Sequence, residues 1–264
     1  MSSKSWFKFE NKAGEDATTV YVYDEIGYWG VTAKEFCDAL NGVNTSIINL
    51  KINSPGGDVF DGLAIHNALK GHAAKVNVQV EGLAASIASI IAMAGDEIRM
   101  AKNAFFMIHN AWAGCAGNAV DMRKLADTLE KIDGTLVQTY QDRTGGTQKD
   151  IREMMAAETW LNADEALAAG FCDVIGDPAD VKAKFDLSKF SHVPQAVAAM
   201  NVITKPENER DLETVLRDAG LSKKEALTAV ASLKAEARRD SATEELAQLL
   251  KNETASIKIK TILS

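Results

Sequence analysis

A glycine-rich turn at Asn53-Ser54-Pro55-Gly56-Gly57, a serine closing Gly82-Leu83-Ala84-Ala85-Ser86 and a histidine closing Met107-Ile108-His109 stand in the order of an oxyanion site, a nucleophile and its base. A serine hydroxyl is a weak nucleophile until a neighbouring base withdraws its proton, and acyl transfer gains most where fixed donors await the developing oxyanion. Ser86 falls just after a predicted strand and in the first turn of a predicted helix, where free N–H groups and the helix dipole favour negative charge. The N–H of Ile87 can face a reacting carbonyl there. The N–H of Gly57 supplies a second donor, because a glycine pair lets bare backbone approach a ligand closely. Hydrolysis of an acyl bond, a peptide above all, is the chemistry such parts would support.

Strands must present these residues. Thr19 to Tyr23 is β-branched and aromatic and predicts a first strand. Thr32-Ala33-Lys34-Glu35 has capping-box spacing and opens a helix with Phe36, Leu40 and Val43 as its apolar stripe. A second strand over 47–52 stops at Pro55 and the two glycines, and a helix follows from Val59 to Leu69. Lys75 to Val80 alternates as a third strand, Gly82 begins a turn, and a small-residue apolar helix spans Ser86 to Ala94. Ile98–Met100 and Phe105–Ile108 read as short strands, followed by an amphipathic helix from Asn118 to Tyr140. Thr147 and Asn162 open two further helices, the second ending at Gly170, and Cys172 to Ile175 is a last strand. Alternating strands and helices imply an α/β fold with a largely parallel sheet, whose sites lie at the carboxyl ends of the strands. The Gly57 loop, Ser86 and His109 each occupy such an end, so they should converge.

The three motifs together resemble the proteolytic subunit of the Clp protease, ClpP, of peptidase family S14, over residues 19–176. The resemblance implies a ClpP/crotonase-like spiral of βαβ units. It implies Ser86 as nucleophile, His109 as general base, Gly57 and Ile87 as oxyanion donors, and Gly56 with Gly57 as the backbone against which substrate lies. The family's third member is an aspartate, and the corresponding residue is Glu158, ahead of Thr159-Trp160-Leu161-Asn162-Ala163. Glutamate is one methylene longer but can orient a histidine and stabilise its imidazolium. Asp150, Glu153 and Asp164 are competing carboxylates.

The expected organisation is a polar N-terminal segment (1–18), a protease domain (19–176), a proline-containing linker (177–206) and a helical extension with a hairpin (207–264). The first thirty residues do not resemble the family's axial N-terminal segment, and the extension has no counterpart in its housekeeping member, which leaves a Clp ATPase partner open. The arrangement is most like the ClpP-like head maturation proteases of tailed phages. That implies polypeptide substrates, scaffold and capsid proteins among them, a homo-oligomeric ring, and a setting in host cytoplasm or procapsid.

Composition narrows the alternatives. A formal charge of −8 over 264 residues disfavours a nucleic-acid partner, and 46% hydrophobic residues suffice for a sizeable core. Cys37, Cys115 and Cys172 are odd in number, far apart and without metal-ligand spacing, so a reducing cytosol is expected and neither a metal site nor a disulfide framework is. Residues 1–16 are polar, unlike a secretory signal, and no apolar run approaches the roughly 20 residues of a membrane span. There is no Gly-x-x-x-x-Gly-Lys-Ser/Thr phosphate loop, and no cofactor is implied.

Other classes fit parts of the pattern: a crotonase-type acyl-CoA enzyme, a capsid-assembly protein with a vestigial protease domain, or a Ser-Lys dyad using Lys75 or Lys102 as base. Ser89, one turn beyond Ser86, is a rival hydroxyl expected to bond back to a carbonyl instead. His66, His72 and His192 are assigned no chemistry, and the near balance of charge over 207–240 favours a protein-contacting hairpin over a DNA reader.

Overall fold

Every second residue along the expected strands is apolar, and that period of two decides which side of the sheet faces the core. The computed structural model describes residues 5–11, 14–27, 32–179, 185–200 and 227–230. In β2 (Ala17–Tyr23), β3 (Ile47–Ser54), β4 (Lys75–Ala85) and β5 (Glu97–Ala101) the buried rows are Val20 and Val22; Ile48, Leu50 and Ile52; Val76, Val78 and Val80; and Ile98 and Met100. The intervening residues form a polar face on which Tyr23 donates to Glu81 and Lys51 pairs with Glu81 at 2.7 Å.

These strands pair in parallel in the order β2-β3-β4-β5-β8, with β8 at Val174–Gly176 and an antiparallel edge strand β1 (Phe7–Asn11) beside β2. Parallel neighbours require crossovers, supplied by α1 (Ala33–Asn41), α2 (Val59–Lys70) and α3 (Ile87–Ala92). The Thr32 capping box forms as its spacing predicts, and Phe36 and Leu40 are buried. Gly62 of α2 lies against the Ile87 side chain, so close that a Cβ there would collide with it. The missing side chain lets α2 press on the start of α3, directly behind Ser86.

The architecture is the mixed α/β, mostly parallel sheet expected for a ClpP/crotonase-like fold. Four local differences bear on the site or its surroundings. Within residues 1–18, expected to be a polar segment, Trp6 is buried, Phe7 and Phe9 pack edge-on against Phe36, and β1 joins the sheet by pairing with β2. Second, β4 does not turn at Gly82 but runs on to Ala85. Its register against β3 shifts between Ile52 and Ser54, Asn53 Oδ1 accepts from Leu83 N at 3.0 Å, and a Cβ on Gly82 would lie 2.7 Å from that oxygen. A third difference is a strand at Thr159–Asn162, β7, where none was expected. Finally, part of the expected linker is packed: Leu187, Phe190 and Val197, the last in α7 (Gln195–Met200), are buried with Leu83, Ala85 and Met107.

Contacts divide the chain into two units, Met1–Asn201 and Val202–Ser264. In the second, Leu227–Val230 is helical, and the rest of the expected hairpin lies outside the described residues. No helix among the described residues is long and apolar enough to cross a membrane, and no cluster of three or more His, Cys, Asp or Glu among them could hold a metal ion.

Candidate active site

Strand register brings the distant motifs together. The first part of β4, Asn77–Val80, pairs with β5, but its last residues, Leu83–Ala85, pair in parallel with β6 (Phe105–Ile108), Ala85 opposite Met107. Ser86 N then donates to Met107 O at 2.9 Å, so the serine leaves its strand level with the end of β6, and His109 is the next residue along. On the other side β7 runs antiparallel to β6 with Ile108 opposite Thr159. His109 directly follows β6 and Glu158 directly precedes β7, so the two flank the same end of that strand pair.

Ser86 is held in an uncommon conformation, φ 55° and ψ −130°, at the junction of β4 with α3. Non-glycine residues at positive φ cost of order 1–3 kcal/mol and persist only where their surroundings over-determine them. Here the determinants are the Met107 hydrogen bond and the Gly56 backbone, against which a Cβ would sit 2.7 Å from Ser86 Cβ and 2.8 Å from Ala85 O. The Gly57 loop is braced in turn. Ser54 Oγ donates to Asp24 O at 2.6 Å and accepts from Gly56 N at 3.2 Å, while Ile26 N donates to Gly56 O and Asp58 N to Ile26 O. In that parallel bridge Ile26 spends both its groups on the residues flanking Gly57. The N–H of Gly57 therefore points to the other edge. Ile87 opens α3, so its N–H belongs to the unpaired first turn.

The hydroxyl and the imidazole meet: Ser86 Oγ lies 2.7 Å from His109 Nε2. Burial pushes the His109 pKa down; the charge of Glu158 opposes this, that of Lys189 adds to it, and the net direction is downward. The imidazole is thus kept neutral, the form able to accept a proton. The half-buried Glu158 is the carboxylate whose field acts on it. Burial would raise the Glu158 carboxyl, but the N–H groups of Ser191 at 2.9 Å and His192 at 2.6 Å, the Trp160 indole at 3.3 Å and the charge of His109 together hold it below the usual carboxylate range. No hydrogen bond joins Glu158 to His109 among the described residues, so the coupling is electrostatic. Glu158 is itself at φ +49°, and its N–H donates to Met155 O at 3.1 Å.

The competing groups are elsewhere. Asp150 accepts from the Thr147 hydroxyl at the start of α5 (Gln148–Ala156), Glu153 is paired with Lys149 at 3.8 Å, and Asp164 is exposed in α6 (Ala163–Ala168). Lys75 begins β4, ten residues before Ala85, which is about 30 Å of strand; Lys102 is exposed after β5. Ser89 is fully buried, donating to Ser86 O at 2.5 Å and meeting the Tyr140 hydroxyl at 2.7 Å, so the rival hydroxyl does bond back to a carbonyl. His66 contacts Asn67, His72 accepts from Ala74 N, and His192 contributes only its backbone here.

Gly57, Ser86, Ile87 and His109 line a cleft of about 520 Å³. Phe60 and Trp112, both 65% exposed, stand beside it, and α4 (Ala119–Thr144) forms a wall through residues such as Leu129 and Ile132. Among the lining residues that were not expected in the site are Glu25, Lys189 and Phe190. The spacing of Phe185, Leu187 and Phe190 was the available signal that this segment packs against something.

A largely parallel α/β sheet with a three-strand corner at its carboxyl ends, holding a serine against a histidine, defines a ClpP/crotonase-like class. Within it the chain belongs to the Clp protease family, a family of peptidases, whose signature matches residues 31–179. It is 38% identical over 142 residues to the ATP-dependent Clp protease proteolytic subunit of Streptococcus suis, covering 52% of this chain and 72% of the relative. The protein of that name from Streptococcus gordonii is 38% identical over 144 residues, 53% and 72% of the two chains. That of Deinococcus radiodurans is 36% identical over 132 residues, 49% and 65%.

Proposed function

We propose that the protein is a serine endopeptidase acting through an acyl-enzyme, with Ser86 as nucleophile, His109 as general base and acid, and Gly57 and Ile87 as oxyanion donors. The observation that carries this reading is the 2.7 Å contact between Ser86 Oγ and His109 Nε2 inside a cleft also lined by Gly57 and Ile87. Oγ attacks the peptide carbonyl carbon as its proton passes to Nε2, and the carbonyl oxygen takes the negative charge between the two N–H groups. Collapse expels the amine, which receives the proton from Nε2. Water then repeats the sequence on the ester, returning Oγ–H and releasing the acid. Substrate lies as an extended strand beside Gly56 and Gly57, since backbone pairing holds many sequences alike, and broad specificity follows.

The first thirty residues and those past 179 fall outside the family match, which is in keeping with the phage head maturation branch, with scaffold and capsid proteins as substrates. The apolar side chains that the first turns of α4 expose, Val120 and Met122, suit self-association into a ring. The primary test is treatment with a fluorophosphonate probe followed by peptide mass spectrometry. Adduct on Ser86, absent in Ser86→Ala, is the expected result; no adduct, with acyl-CoA binding instead, would favour a crotonase-type enzyme.

Glu158 is the third member in this reading, acting by its field. In Glu158→Gln the imidazolium formed in the transition state loses that stabilisation, and turnover should fall on the order of 10²-fold. Because the Glu158 charge raises the His109 pKa, its removal lowers that pKa further and moves the acid limb of activity to lower pH. The glutamine NH2 also cannot accept at the terminal atom it replaces, so the separate contacts from Ser191 and His192 cannot both persist as they stand, but the domain should remain folded by circular dichroism. Wild-type turnover in this variant would move the acid role to another residue.

A further inference from the structure

The family match ends at residue 179, yet residues 187–192 return to the site and touch both of its titratable groups. The Phe190 ring packs edge to face on the His109 imidazole, centroids 5.6 Å apart at 72°, and again on Trp160 at 5.7 Å and 83°. The next two residues give their N–H groups to the two oxygens of Glu158. The residue before, Lys189, pairs with Glu25 at 2.7 Å, next to the Ile26–Gly57 bridge. The segment is anchored from beneath by Leu187 and Val197, buried with Leu83, Ala85 and Met107. Six consecutive residues thus reach the base, the acid and the flank of the oxyanion loop.

We propose that this segment is a positioning strap, and that Phe190 is the residue through which it acts: its ring fixes the orientation of His109 and keeps water from it, while the Ser191 and His192 amides hold the Glu158 carboxylate at the range where its field reaches the imidazole. This stretch of the expected linker is then part of the site and not a mere connection. The inference rests on the proposed roles of Ser86 and His109. An imidazole can turn about its side-chain bonds, and a base misplaced by an ångström loses on the order of a hundred-fold in rate. The hydrogen bond to Ser86 restrains one ring atom, and the steeply inclined Phe190 ring restrains the plane.

The test is the rate of fluorophosphonate labelling of Ser86 in the full chain as a function of pH. In Phe190→Ala water reaches the imidazole, the depression of its pKa by burial is relieved, and the acid limb moves to higher pH. Loss of the restraint also lowers the high-pH plateau on the order of ten- to a hundred-fold. Phe190→Leu keeps the contact dry without a flat ring, so its limb stays near that of the wild type while its plateau falls. A purely structural role would lower labelling in proportion to unfolded protein and leave the limb in place. Wild-type limb and plateau in Phe190→Ala overturn the strap, as does a wild-type plateau in Phe190→Leu should the alanine variant not fold. In either case, labelling of the wild type at Ser86 leaves the protease reading standing. Absence of that labelling removes both.

Discussion

His109→Ala is expected to slow peptide hydrolysis and Ser86 labelling by about 10³- to 10⁴-fold while leaving a folded protein. The size follows from the contact removed. Nε2 is the base placed 2.7 Å from Ser86 Oγ, and without it the hydroxyl must ionise into water. What survives comes from the amides and from binding, neither of which the substitution touches. The pH profile should change shape as well as height. Burial, with the Lys189 charge, outweighs Glu158 and depresses the His109 pKa, so the wild type keeps a neutral base down to pH values below the ordinary imidazole range and loses activity only under them. In His109→Ala that limb disappears and the residual rate climbs with hydroxide concentration. Because the two groups act as a unit, Ser86→Ala combined with His109→Ala should be no slower than Ser86→Ala alone. Multiplicative losses in the double variant, measured on one peptide substrate at several pH values, would show that the residues work independently and that the proposed proton transfer is wrong.

How much of this was legible beforehand depends on whether a feature is written in local pattern or in tertiary contact. The alternating valines and isoleucines of β2, β3 and β4 announce buried strands, and the Thr32 and Asn162 capping boxes open helices where expected. The end of β4 was less visible because Gly82-Leu83-Ala84-Ala85 has little β-propensity. It remains a strand because Asn53 bonds it from β3 and β6 pairs with it. β7 has four residues with no clean alternation, and its existence follows from β6 needing a partner. Phe7-Lys8-Phe9-Glu10 does alternate, so β1 could have been read from it. Ser86 and His109 stood out because chemistry demands those residue types in that order. The amides on Glu158 and the Phe190 ring carry no such mark: any residue has an N–H, and an aromatic among prolines reads as linker. Only the chain's return to the corner of β4, β6 and β7 gives them a role.

Gly57→Ala should do more damage than removal of most side chains in the cleft, although it adds a single methyl group. Gly57 is at φ +151°, a region left essentially to glycine, where an L-residue costs of order 1–3 kcal/mol. A Cβ there would collide with the Ile26 backbone at its oxygen, nitrogen and carbonyl carbon, and backbone cannot step aside as a flexible side chain can. The relief available is to open the bridge that joins Ile26 to the loop, giving up the Ile26 N to Gly56 O and Asp58 N to Ile26 O hydrogen bonds of 2.8 and 3.0 Å. Opening that bridge turns the Gly57 N–H away from the carbonyl oxygen it is proposed to stabilise, and loss of one oxyanion donor costs roughly 10²- to 10³-fold in turnover. Stability and rate should therefore fall together, with the fall in kcat exceeding any rise in KM, because the donor acts on charge that exists only in the transition state. The comparison that isolates the donor is labelling by a fluorophosphonate, whose phosphoryl oxygen uses the same amides, against slow hydrolysis of an activated ester with less charge to hold. Equal losses for both, in protein that melts as the wild type does, would place the oxyanion on other groups and leave Gly57 only the task of letting the chain turn.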